Sequence, residues 1–125
     1  MLKITYLEDV IRFEHLQQPI EVWKSDRVIV NLRAAASVYV ESSMASLVFP
    51  IDSCIRELVE IASKELIDIF PCDEEYIEVA LSGTWVAENQ SSEIGIFVCE
   101  LSPESERRLC RLWQETQIEA SAIGE

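Results

Sequence analysis

The chain has 125 residues, 49% of them hydrophobic and 26% charged, and its 23 acidic against 10 basic side chains give a net charge of −13. That length suits one domain burying about two-thirds of the surface its unfolded chain exposes, and no segment has the depleted apolar content of disorder. The acidity argues against nucleic acid and anionic membrane surfaces as direct partners, because binding there needs Lys and Arg to displace counterions. No apolar run approaches the roughly 20 residues that cross a bilayer, and no basic stretch followed by an apolar one marks export.

Taken in order, Leu2 to Leu7 is rich in β-formers, Glu8-Asp9 offers a turn, and Val10 to Leu16 sets Ile11, Phe13 and His15 against Arg12 and Glu14. This alternation predicts an opening hairpin. After Gln17-Gln18-Pro19, the run Ile20 to Trp23, the turn Lys24-Ser25-Asp26 and the alternating stretch Arg27 to Ala34 predict a second hairpin. Ser37 to Glu41 and Ser46 to Phe49 read as two further strands around a polar linker, Ser42 to Ala45.

Pro50 and Pro71 bracket a predicted helix over 53–70, capped by Asp52 or Ser53 and stopped near Phe70 by the restriction on a residue preceding proline. Stepping about 100° per residue from Ile55 gathers Leu58, Val59, Ala62, Leu66 and Ile69 into a core stripe. Glu57, Glu60, Lys64 and Asp68 then form the solvated side. Pro71 to Glu75 is a turn, Tyr76 to Ser82 a strand with Ile77, Val79 and Leu81 inward, and Gly83 a bulge before Thr84 to Glu88. Glu93 to Leu101 returns as the second strand of a hairpin over 76–101. Ser102-Pro103-Glu104 supplies an N-cap, a first-turn proline and an acid, so a second helix begins there and covers about 103–117. Leu109, Leu112, Trp113 and Thr116 share its inner face, with Glu104/Arg108 and Arg111/Glu115 paired outside. The expected fold is a single α+β domain over 1–125, its mostly antiparallel sheet covered on one face by two helices.

Candidate chemistry is sparse. Glycine occurs only at 83, 95 and 124, so no Gly-rich phosphate loop can form. His15 is the sole histidine, and Cys54, Cys72, Cys99 and Cys110 lack Cys-x-x-Cys spacing. Both read as structural, the cysteines as reduced core thiols. Glu65 lies at the edge of the helix stripe, where it is either a carboxylate with a raised pKa suited to acid–base work or, the favoured reading, an amphipathic rim. Trp23 and Trp85 complete the pocket candidates with His15 and Glu65, whereas Trp113 reads as core.

The acidity is concentrated: residues 42–100 carry 12 acidic and 2 basic side chains. Glu57, Glu60, Asp68, Asp73, Glu74 and Glu75 are therefore the expected interaction surface. The leading expectation is a cytoplasmic, non-enzymatic module for protein interaction or oligomerisation, meeting a basic partner or a second copy as a homodimer. No catalytic, cofactor or metal site is expected. The alternative is a small-ligand-binding protein or enzyme with a pocket between sheet and helices.

Overall fold

The computed structural model describes residues 1–8, 10–24 and 38–124, apart from the side chains of 52–54 and 117–124. Its strands are β1 (Leu2–Tyr6), β2 (Ile11–His15), β3 (Tyr39–Pro50), β4 (Asp68–Pro71), β5 (Tyr76–Ala87) and β6 (Gly95–Cys99), and its helices α1 (Ile51–Glu65) and α2 (Pro103–Gly124). The six strands make one sheet, five of them in the order β2-β1-β6-β5-β3 and β4 paired to β5 off that path, all pairs antiparallel. β3 pairs along the whole of β5, so β4 and β6 share the other side of that strand, at residues 77–80 and 84–87. The architecture is α+β, as the sequence predicts.

Alternation explains which face is buried. Leu2, Ile4, Phe13, Ala45, Leu47, Phe49, Ile77, Val79, Leu81 and Phe97 point to one side and meet Leu58 and Ile61 of α1 and Leu109 and Leu112 of α2. Each large side chain buried there contributes about 1.5–3 kcal/mol, and a one-residue slip in register would turn the whole row to solvent. Trp113 stacks on Phe13 with centroids 4.7 Å apart and donates its indole N–H to the Ile11 carbonyl at 3.0 Å. This fastens α2 across β2.

The other face of the sheet has its own small cluster. Residues 20–24 are helical rather than extended, with the Trp23 N–H on the Pro19 carbonyl at 3.1 Å. Helical spacing brings Ile20 and Trp23 to the same side, where they pack with Met1, Val86 and Val98. Trp23 thus caps the sheet from outside. The predicted turn and strand over 25–34, and Ser37, lie outside the described residues.

Three further expectations are corrected. The supposed linker Ser42 to Ala45 is the middle of β3, a single twelve-residue strand. Its serines are too short to break a ladder that runs unbroken from Tyr39↔Ala87 to Pro50↔Tyr76. The same register leaves no bulge at Gly83. Glycine is required there by close approach: an added Cβ would fall 2.6 Å from Cζ of Phe97 and against the Val98 carbonyl. The returning strand is also shorter than 93–101, keeping only Gly95–Cys99.

The first helix begins and ends early. It starts straight from β3, with Pro50 at the N-cap and no side-chain cap, and the Ile51 N–H is met by the Glu75 carbonyl at 2.9 Å. It stops at Glu65, because Leu66 turns left-handed (φ 57°, ψ 44°) and the Ile67 N–H reaches back to the Ala62 carbonyl at 2.9 Å, a Schellman ending. The chain then runs extended as β4, with Ile69 opposite Val79. Val59 and Leu66, expected in the core, are 50% and 91% exposed, while Ile61 is buried. The buried line of the helix, through Leu58, Ile61 and Glu65, lies about 80° round the helix from the centre of the expected stripe. Among the described residues no helix is long and apolar enough to cross a membrane.

Candidate functional site

α2 opens as its sequence dictates. Ser102 Oγ accepts the Ser105 N–H at 3.3 Å, and Glu104 and Glu106 lie in the first turn. Glu106 sits three residues before Leu109 and shares its buried face, at 1% exposure. Its Oε1 is 2.6 Å from His15 Nδ1 and 3.2 Å from the Met1 ammonium, while Oε2 accepts the Leu101 N–H at 2.9 Å. The ammonium also donates to the Leu16 carbonyl at 2.7 Å. An ionised carboxylate only accepts, so with Glu106 ionised the hydrogen of this contact lies on Nδ1 of His15. These charge-assisted bonds offset the desolvation of a buried acid. Sequence reasoning passed over Glu106, although counting back three residues from Leu109 along the stripe reaches it.

A cleft of about 470 Å³ opens beside this cluster, bordered by His15, Gln17, Glu100 and Arg107. Among the described residues its lining holds no serine, threonine or cysteine. Among the described residues no three His, Cys, Asp or Glu side chains converge as metal ligands. The buried pair acts as a clamp between β2 and α2.

Glu65 is also a clamp. It lies on the buried line of α1 and accepts the Ser102 N–H at 2.9 Å. Burial alone would raise its pKa, but hydrogen bonds from the Ser102 hydroxyl and N–H and the Ser105 hydroxyl, with Lys64 nearby, hold the carboxyl below its ordinary value. The raised pKa considered for acid–base work is therefore reversed. Its carboxylate ties the end of α1 to the start of α2. Among the cysteines, burial and then the charge of Glu106 push the Cys99 thiol up to about 12 and Cys110 up to about 11. Cys72 is exposed rather than core, because it lies in the chain leaving β4. The Cys54 side chain lies outside the described residues. Trp85 meets Tyr6 edge-on at 5.5 Å and borders a second cleft, about 390 Å³, with Glu41 and Met44.

The six acids expected to form one surface fall on three elements. Glu57 accepts Arg111 Nη2 at 2.5 Å and Glu60 accepts Arg108 Nη2 at 2.7 Å, so both are engaged with α2. Lys64 pairs with Glu104 at 3.0 Å, making a third rung between the helices. Arg108 thus reaches to α1 and acts on its expected partner Glu104 only through its charge, whereas Arg111 keeps Glu115 at 3.2 Å. Asp68 is exposed on β4. Asp73 Oδ1 accepts the N–H groups of Glu75 and Tyr76 at 2.7 and 2.9 Å, shaping the turn from which Glu74 and Glu75 project.

The edge of the sheet offers a different surface. Among the described residues β3 has β5 as its one strand neighbour. On its face away from α1 and α2 stand Val40, Ser42, Met44, Ser46 and Val48, all exposed, with Met44 at 62%. Glu41 is the only charged residue in the strand. The opposite edge, β2, carries Arg12 and Glu14, and its Ile11 carbonyl is occupied by Trp113. Charges and short strands are the usual protection of an edge against further pairing; β3 is twelve residues long and carries the single charge of Glu41.

These features define a small α+β domain in which, among the described residues, the long edge of β3 has no strand beside it. The chain belongs to the Alr0857-like family, whose model matches residues 1–117. That description names no activity. No curated protein and no solved structure matches the chain.

Proposed function

We propose that this chain is a non-enzymatic protein-interaction module that offers the free edge of β3 to a strand of another polypeptide. The observation carrying this reading is β3 itself: twelve residues, an unbroken register on one side, a single charge, and no strand on its other side among the described residues. An edge of that length presents N–H and C=O groups which an added strand satisfies, while alternate side chains select the partner. The docking surface is thereby moved from the central acids, two of which already bind α2, to an uncharged row on the sheet. A reducing, cytoplasmic setting belongs to the same proposal and is supported by the free, exposed Cys72.

Photocrosslinking in cells tests it. A photoreactive side chain at Ser46 is expected to capture another polypeptide, and one at Glu74 is not. Capture from Glu74 with none from Ser46 would return the interaction to the acidic turn and overturn the reading.

A further inference from the structure

The exposed row of β3 reads the same in both directions: Val40, Ser42, Met44, Ser46, Val48. We infer that the strand which completes this edge is β3 of a second copy, antiparallel across a two-fold axis at Met44. This deepens the proposal above and rests on it.

In an antiparallel pair, directly opposite residues share a face, so a register centred on Met44 sets Val40 against Val48, Ser42 against Ser46, and Met44 against itself. Apolar meets apolar and hydroxyl meets hydroxyl at every position of the row. A two-residue slip would set Met44 against Ser46 and Val48 against Ser42, losing every apolar pair within the row, and a four-residue slip would keep only Met44 against Val48 around Ser46, so the register centred on Met44 is the one that pairs the whole row. A two-fold interface requires this self-complementarity, since each patch meets its own copy. Electrostatics points the same way. Two chains of −13 approach with least repulsion where the surface is uncharged, and Val40 to Val48 carries only Glu41, which accepts the Tyr39 hydroxyl at 2.6 Å.

Opposite residues of an antiparallel pair have Cα atoms about 4.5–5.5 Å apart, within the span of a disulfide. In a Cys72→Ser background, Met44→Cys is expected to form a cross-linked dimer on mild oxidation, while Ser82→Cys, on the same face of neighbouring β5, is not. Sedimentation of the full chain should give a dimer, and Met44→Lys, which sets two ammonium groups against each other at the axis, should weaken it at least tenfold with the far-UV spectrum and melting transition retained. A monomer at every concentration overturns the inference, as does a dimer that ignores Met44→Lys and fails to cross-link through Met44→Cys. If Ser46 captures only other proteins in cells while the purified chain stays monomeric, the second copy is refuted and the edge-binding role stands.

Discussion

Glu106 accepts from three donors in three different parts of the chain, so its removal takes a buried acceptor from each of them at once. Glu106→Leu should lower stability by about 3–5 kcal/mol, the usual loss when one partner of a buried charge cluster is deleted; urea unfolding measures it, and Glu106→Gln, which keeps an accepting oxygen, should lose less. Glu65 gives a pH dependence of known sign. Its folded pKa lies below the ordinary value, so its contribution is complete above the usual glutamate range near about 4.3 and is lost as pH falls through the lower folded value. Unfolding midpoints between pH 6 and 3 should therefore fall less steeply in Glu65→Gln than in the parent. Burial of Glu106 and the bonded state of Glu65 share one origin: each carboxylate closes an otherwise unpaired backbone N–H near the start of α2.

Among the elements, the end of α1 carries a cost that can be removed. A non-glycine residue in the left-handed region is disfavoured by about 1–2 kcal/mol, and glycine returns about 0.4–1 kcal/mol of that through the freedom it adds to the unfolded chain. Leu66→Gly should therefore stabilise the protein by about 0.5–1 kcal/mol, visible as a raised melting temperature, since the side chain is 91% exposed and gives up almost no packing. That same residue shows where sequence patterns mislead. Leu66 and Ile69 continue the apolar spacing of the helix, and nothing local announces that the chain turns at Leu66 and becomes β4, because the turn is stabilised by a backbone bond and by pairing with β5. The hairpin of β1 and β2, the inward row of β5 and the start of α2 were legible from alternation and capping residues alone. The unity of β3 was not, since Ser42, Ser43 and Ser46 have weak strand preference and are held extended by β5. For the same reason the palindromic row, though written in the sequence, had no meaning until one strand was seen to contain it.

At the scale of the whole molecule, charge sets how association responds to salt. If two copies join through an uncharged edge, their overall repulsion is all that salt screens, and raising ionic strength from about 0.1 M to about 1 M shortens the Debye length from about 10 to about 3 Å. The dimer should tighten several-fold over that range in sedimentation equilibrium. An interaction made by the acids of α1 and the Asp73 turn with a basic surface would weaken instead, so the sign alone separates the two.

The sheet order also governs when the fold can form. β1 pairs along its length with both β2 and β6, so the first of the described strands waits for the last of them. During synthesis β3 and β5 can close as a hairpin around α1, yet the N-terminal hairpin has no permanent place until residue 99 has left the ribosome. Such non-local pairing folds more slowly than local contacts do. Through that interval the nascent chain exposes the apolar row of β1, and it is then that a chaperone would find it.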